Sequence, residues 1–136
     1  MLLFGLAACG RFGFDESGIG VVTPDATPDA PPTCPSDTTE LAPDATVCIE
    51  KAQRSDTWTN AKMMCGSAGR RLCADAEWAL ACDNAVGLIS MVGPDWEWVA
   101  EEAGGVAQKR GFGACSDTSS HEIFVDPYEF RCCVNK

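Results

Sequence analysis

Positive charge is scarce in this sequence. Ten lysines and arginines stand against twenty aspartates and glutamates, so the formal net charge of the chain is −10. Binding to nucleic acid depends on a basic patch that faces the phosphates. Residues 48–136 carry thirteen acids against nine bases, an ordinary surface charge with no patch of this kind. The sequence therefore predicts that nucleic acid is not a partner.

Long apolar runs are also lacking, and no segment reaches the roughly 20 apolar residues that a transmembrane helix needs. A short apolar run ends in Leu6, Ala7 and Ala8 directly before Cys9. It resembles a bacterial lipoprotein signal peptide, in which this cysteine receives the lipid. The run is short and no positive charge precedes it, which a misassigned start codon would explain. The alternative interpretation is a frayed apolar N-terminus.

The lipoprotein interpretation divides the chain into three parts. Residues 1–9 form the signal peptide with its lipid-bearing Cys9, and residues 48–136 form the domain. Residues 10–47 are rich in Pro, Asp, Thr and Gly and include the near-repeat TPDATPDA. Such a composition cannot bury enough apolar surface to fold, which predicts a disordered tether. We expect attachment to a bacterial cell envelope through the acyl chain, at the outer membrane or the cell surface.

Paired metal ligands are missing as well. Zinc sites usually have ligands two to four residues apart, but no Cys-x-x-Cys occurs and the only histidine, His121, lies in the polar segment SDTSSHE, interpreted as a loop. Cysteine itself is abundant. Besides Cys9 the chain has Cys34, Cys48, Cys65, Cys73, Cys82, Cys115, Cys132 and Cys133. An even number of cysteines in a small exported domain indicates a disulfide framework.

Two helices are predicted in the first half of the domain. One begins after an N-cap at Asp56 or Thr57 and ends at Gly69, with Trp58, Cys65 and Ala68 among the residues on its buried face. After a short extended piece, RRLC, the second helix covers DAEWALAC, with Trp78, Ala81 and Cys82 on its buried side.

The second half of the domain is predicted to form strands. They are GLISMVG, WEWVAEE with Trp96 and Trp98 on one face, GVAQKRGFG, and a last strand YEFRCCV. In the last strand, Phe130 and Cys132 are expected on one face, with Arg131 and Cys133 on the other. Gly104 and Gly105 favour a tight hairpin. The sequence thus predicts an α+β fold in which two short helices pack on a small twisted antiparallel sheet.

The order of these motifs resembles the sulfatase-modifying-factor branch of the C-type lectin-like fold, which includes the formylglycine-generating enzymes. That family has W-x-x-A-x-x-x-C, then a G-x-R-L element followed by E-W, then W-E-W and a final G-F-R. The residues that carry the resemblance are Trp58, Gly69, Arg71, Leu72, Glu77, Trp78, Trp96, Glu97, Trp98 and Phe130-Arg131-Cys132. It covers nearly all of residues 48–136.

The resemblance implies a disulfide between the first helix and the last strand, Cys65 with Cys132. Cys34 with Cys48 would close a small loop at the entrance to the domain. The four remaining cysteines share two bridges, among which Cys82 with Cys115 is favoured. We also expect Arg71 and Glu77 to form a structural ion pair that fixes the second helix.

Departures from the family pattern bear on function. Pro94 replaces the Asn before W-E-W, so we expect no metal, although Asp95 and Glu97 could supply oxygens for calcium. We expect Glu97 to be a strand residue that faces solvent or pairs with an arginine, in preference to a calcium ligand. The oxidases of the family use two closely spaced cysteines as copper ligands. Here the only candidates, Cys115, Cys132 and Cys133, do not have that arrangement.

The sequence therefore predicts a non-catalytic, disulfide-stabilised envelope domain without a cofactor, which binds an unknown protein or glycan. One alternative is a reduced formylglycine-generating-type copper oxidase. A second is a calcium-dependent carbohydrate binder.

Overall fold

A computed structural model of the protein describes residues 32–84 and 90–136. These residues form two helices and nine strands in an α+β arrangement. In chain order they are β1 (Thr38–Glu40), β2 (Val47–Glu50), β3 (Arg54–Asp56), α1 (Trp58–Ser67), β4 (Arg71–Leu72), α2 (Asp75–Asn84), β5 (Glu97–Ala103), β6 (Val106–Arg110), β7 (Thr118–Glu122), β8 (Tyr128–Phe130) and β9 (Cys132–Asn135). The α+β prediction is confirmed.

The strands form two sheets, whereas one antiparallel sheet was predicted. The first sheet has the order β1-β2-β9-β4 and the second β3-β8-β5-β6-β7. One pair, β5 with β8, is parallel, and Trp98 lies opposite Phe130 in its register. The predicted last strand YEFRCCV is divided at Arg131, because β8 belongs to one sheet and β9 to the other. This residue marks the crossing from one sheet to the next.

The folded part begins earlier than predicted. Residues 38–50 form the β1–β2 hairpin, in which Leu41 is only 3% exposed. The prediction of a tether up to residue 47 is therefore wrong for residues 38–47. Their composition is polar, but the disulfide from Cys34 and the burial of Leu41 offset the ordering entropy. Residues 1–31, with the predicted signal peptide and most of the tether, lie outside the described residues.

Helix α1 has the predicted N-cap and the predicted terminating glycine. The Thr57 side chain accepts a hydrogen bond from the Asn60 N–H, and Gly69 follows the helix with φ 69°. The Arg70 N–H donates to the Cys65 carbonyl and the Gly69 N–H to that of Gly66, the pattern of a glycine-terminated helix. The prediction that Ala68 lies on the buried face is wrong, because the helix ends at Ser67 and Ala68 is exposed.

The predicted hairpin at Gly104 and Gly105 is confirmed. Both residues have positive φ and join Ala103 of β5 to Val106 of β6. Two further predictions are wrong. His121 lies in strand β7 and not in a loop, because its segment pairs with β6. No strand forms at residues 90–93; residues 87–89 of the predicted GLISMVG strand lie outside the described residues.

The core has two halves, one on each side of the central strands. The first contains Leu41, Ile49, Cys73, Trp78, Ala81, Cys82, Met91, Val99 and Cys133, and the second Trp58, Ala61, Cys65, Leu72, Trp98, Ala107, Phe130 and Cys132. Neighbouring residues of β5 and β9 therefore point into different halves, as strand alternation requires. Phe130 with Cys132 on one face and Cys133 on the other confirms the predicted alternation.

Candidate functional site

The cysteines of the described residues are all joined in disulfides. The pairs are Cys34–Cys48, Cys65–Cys132, Cys73–Cys133 and Cys82–Cys115. The predicted disulfide framework is confirmed, and so are the three predicted pairs. Cys9 lies outside the described residues. Because β9 carries both Cys132 and Cys133, it is bonded to α1 on one side and to the segment before α2 on the other.

Cys115, Cys132 and Cys133 were the candidates for copper-dependent chemistry. Cys132 and Cys133 are fully buried and bonded to different partners, and Cys115 is bonded to Cys82. A thiolate is the form of cysteine that binds copper or attacks a substrate. In this oxidised structure, none of the three sulfurs is a thiolate.

Glu97 lies in the centre of the molecule and is 1% exposed. Its carboxylate forms an ion pair with Arg131, and it accepts hydrogen bonds from Gln53 and from the Trp78 indole N–H at 2.8 Å. Burial raises the pKa of Glu97, while the Arg131 charge and these donors oppose that shift. Of the two structural roles weighed for Glu97, the arginine-paired one is observed.

The second oxygen donor considered for calcium, Asp95, is exposed and lies beside Pro94 at the edge of a small polar cavity. Both oxygens of Glu97 are already hydrogen-bonded to protein donors. The described residues contain no group of three or more His, Cys, Asp or Glu side chains that could hold a metal ion.

Arg71 and Glu77 form the predicted ion pair. Two guanidinium nitrogens of Arg71 each donate to a Glu77 oxygen at 2.6 Å, and the Ala74 N–H donates to the same carboxylate at 2.8 Å. Glu77 thereby also satisfies a free N–H at the start of α2. Burial acts to raise the pKa of Glu77, but the hydrogen bonds from Arg71 and Ala74 lower it below its usual value.

A groove on the surface of the described residues lies over this ion pair. It has a volume of about 390 Å³ and is formed between α1, β4, the start of α2 and β5. It is lined by Trp58, Lys62, Arg71, Leu72, Ala74, Glu77 and Ala100. Its surface is mainly apolar, and its charged groups come from Lys62, Arg71 and Glu77. This is the composition typical of a ligand site, an apolar pocket with a few polar groups.

Lys62 is the functional candidate that the sequence analysis missed. Its ammonium lies 4.9 Å from the centre of the Trp58 ring, one helical turn earlier on α1. No ion pair joins Lys62 to a carboxylate of the described residues, whereas the charge of Arg71 is compensated by Glu77. The sequence does contain a pattern that indicates this pair: Trp58 and Lys62 are four residues apart, and this spacing places both side chains on one face of a helix.

The remaining motif residues have structural partners. Trp96 stacks on Phe112 at 5.3 Å, and Trp98 packs edge-on against Tyr128 at 4.9 Å. The imidazole of His121 is 2.7 Å from the carboxylate of Asp126. These contacts tie the loops on either side of β7 to the second sheet.

Gly111, the glycine that follows Arg110, has φ 91°. A Cβ on it would lie 2.7 Å from Trp78 Cη2, so only glycine fits here. Arg110 forms an ion pair with Asp75 at the start of α2. Arg110 and Gly111 thus hold the second helix against β6.

No family model matches the chain, and no curated protein matches it. Each of the two described helices has ten residues, and neither is long and apolar enough to cross a membrane.

Proposed function

We propose that this protein is a non-catalytic binding module of the C-type lectin-like type, carried on the cell envelope by a lipid on Cys9. Its resemblance to the sulfatase-modifying-factor branch is supported by the order of the motifs along two helices and paired strands. The four disulfides support an exported protein, because such bonds persist in oxidising compartments.

The groove beside Lys62 is the observation that carries the proposed binding function. Its wall includes Leu72, which is 2% exposed, and the ring of Trp58, which is 5% exposed. These two side chains form the floor of the groove and expose little surface themselves. An apolar group entering the groove would contact this floor and cover mainly the exposed Ala100 and the stem of Lys62, releasing the water over them. The fixed backbone of α1, held by the Cys65–Cys132 disulfide, keeps the groove formed without a ligand.

Lys62 determines the class of ligand that we infer. Its ammonium is exposed and lacks a carboxylate partner in the described residues, while its position over Trp58 limits the side-chain freedom that binding would cost. An anionic group next to an apolar one would contact the ammonium and the groove together. We infer a protein ligand with an apolar side chain beside a carboxylate.

The two alternatives fit the contacts less well. A formylglycine-generating-type copper oxidase needs free thiolates, but Cys115, Cys132 and Cys133 are disulfide partners. A calcium-dependent carbohydrate binder needs free carboxylate oxygens, but those of Glu97 bind Arg131, Trp78 and Gln53. A binding module requires neither free thiolates nor free carboxylate oxygens.

A protein-array and glycan-array screen with the full, oxidised chain tests the function, followed by titration of the best ligand. We expect Lys62→Ala to weaken its binding by about tenfold, which corresponds to one charged contact of about 1.4 kcal/mol. The control is Lys51→Ala, which removes the same charge from an exposed residue whose ammonium contacts the Ser36 carbonyl instead of the groove.

Both variants should retain the melting temperature of the unaltered chain, because both lysines are exposed. Equal affinity of the Lys62→Ala and Lys51→Ala variants for every ligand found would contradict the groove as the binding site. Binding that needs calcium, or copper bound at reduced cysteines, would favour one of the alternatives.

A further inference from the structure

Strand β7 is an unprotected edge of the second sheet. It pairs with β6 on one side, and no described strand lies on its other side. Its sequence, Thr118-Ser119-Ser120-His121-Glu122, has no lysine and no proline, the residues that commonly block pairing at an exposed edge. Its register with β6 runs through all five residues without a shift. It is therefore a regular template for another strand.

The free backbone groups of β7 can be assigned from its neighbours. The Ile123 N–H donates to the Gly105 carbonyl, and the Gly111 N–H donates to the Asp117 carbonyl. In an antiparallel pair, bonded residues alternate along the strand. Ser119 and His121 therefore bond to β6, and the N–H and C=O groups of Thr118, Ser120 and Glu122 point outward. These outward groups have no backbone partner among the described residues.

The strands at the other three sheet edges are shorter than β7 and less suited to pairing with another strand. Strand β1 has three residues, and its Thr38 N–H already donates to Pro35. Strand β3 has three residues and carries charge at both ends, Arg54 and Asp56. Strand β4 has only two residues. Strand β7, with five residues and a single acid, is the edge best suited to pairing.

We propose that β7 binds the β7 of a second copy of this chain in an antiparallel pair centred on Ser120. In this register Ser120 lies opposite Ser120 of the other copy, and each Thr118 lies opposite a Glu122. All outward N–H and C=O groups of the three residues then find partners. No like charges face each other, because the only acid of the strand meets a threonine. A two-fold symmetric pair of this kind is the commonest form of homodimer.

The exposed apolar residues that follow β7 fit the same arrangement. Phe124 and Val125 are 71% and 57% exposed. Antiparallel pairing brings the segment after β7 of one copy towards the segment before β7 of the other. These apolar side chains then lie at the ends of the joined strands, where association can cover them.

Sedimentation velocity of the full, oxidised chain over a range of concentrations measures the association. A five-residue strand buries less area than a stable interface of about 1,200 Å², so we expect a weak dimer with a Kd of about 100 µM. A chain that remains monomeric up to about 1 mM would overturn the proposal.

Two matched lysine variants test the register. Thr118→Lys and Ser120→Lys each add one positive charge to an outward-facing, exposed position of the same strand, so they change the overall repulsion between acidic chains equally. In the proposed register the first introduced lysine faces Glu122 of the other copy, and the second faces its own counterpart. We expect Thr118→Lys to tighten the dimer by about fivefold and Ser120→Lys to weaken it by about fivefold.

Equal effects of the two variants would overturn the register, and with it the proposal. Amide hydrogen exchange of the unaltered chain gives an independent measurement that needs no variant. The amides of Thr118, Ser120 and Glu122 should exchange more slowly in the dimer than in the monomer. A dimer in which these three amides remain unprotected would also overturn the proposal. So would protection of these amides that is seen only when a foreign extended peptide is added to the chain. Neither result depends on ligand binding near Lys62.

Discussion

Two oppositely charged side chains of this domain are buried away from water. Glu97 and Arg131 are 1% and 2% exposed, and they connect β5 to the point where the chain crosses between the two sheets. The guanidinium of Arg131 is the charged group that faces the Glu97 carboxylate, and in its ionised form Glu97 compensates this charge. The contacts of Glu97 with Gln53 and Trp78 supply the additional hydrogen bonds that make a buried ion pair tolerable.

The ion pair between Glu97 and Arg131 gives a prediction for a single substitution. Glu97→Gln should lower the free energy of unfolding by about 3–5 kcal/mol, because it leaves the Arg131 charge buried without a counterion. Urea denaturation of the oxidised chain measures the change. Glu122→Gln, at an exposed strand position whose side chain makes no hydrogen bond or ion pair within the described residues, is the control and should change stability by less than about 0.5 kcal/mol. A near-neutral Glu97→Gln would mean that Glu97 is already protonated at neutral pH.

At the scale of the elements, turn and cap residues determine where helices and strands end. Thr57 caps α1, Gly69 terminates it, and Gly104-Gly105 joins β5 to β6. These positions were predictable because their chemistry is local: a side-chain oxygen for the cap, and positive φ for the glycines. The spacing of Trp78, Ala81 and Cys82 likewise predicted the buried side of α2, since helical periodicity does not depend on distant partners.

Other elements depend on contacts that the sequence does not display. The polar segment around His121 becomes a strand only because β6 provides a ladder for it. Strand β1 pairs with β2 and is held against the domain by the Cys34–Cys48 disulfide and by the buried Leu41 that follows it. The groove was missed for the same reason, since it combines residues of four separate elements. Arg131 was assigned to a strand face, but its ion pair with Glu97 depends on the parallel pairing of β5 and β8.

Two glycines, one inside α1 and one directly after its C-cap, give the prediction for the elements. Gly66 lies inside α1 with open space where a Cβ would be, so Gly66→Ala should stabilise the protein by about 0.5–1 kcal/mol. Gly69 has φ 69°, and Gly69→Ala should destabilise it by about 1–2 kcal/mol. Thermal denaturation of both variants measures the difference. A gain in stability from Gly69→Ala would contradict the cap described above.

At the scale of the whole molecule, stability rests on the disulfides as much as on the core. The two longest loops, of 67 and 60 residues, are closed by Cys65–Cys132 and Cys73–Cys133 on opposite sides of β9. The other two bonds span 33 and 14 residues. Long loops lose the most chain entropy when they are closed, so the bonds to β9 should contribute most.

Variants that each lack one disulfide test this order of contributions to stability. Replacing Cys65 and Cys132 together with alanine should cost about 4 kcal/mol, and replacing Cys34 and Cys48 together about 3 kcal/mol. Guanidinium denaturation of each double variant, with the other cysteines oxidised, measures the two changes. A larger loss from the pair Cys34–Cys48 would show that it holds β1 in place by more than loop closure.

The adjacent pair Cys132-Cys133 also shapes how the protein must mature. As the chain enters an oxidising environment, Cys65 and Cys73 precede their partners by 67 and 60 residues, and in that interval they can react with each other or with Cys82. When Cys132 and Cys133 arrive, two neighbouring thiols compete for two acceptors. Correct pairing then requires early mistakes to be exchanged, so the slow step of maturation should be thiol–disulfide isomerisation rather than oxidation.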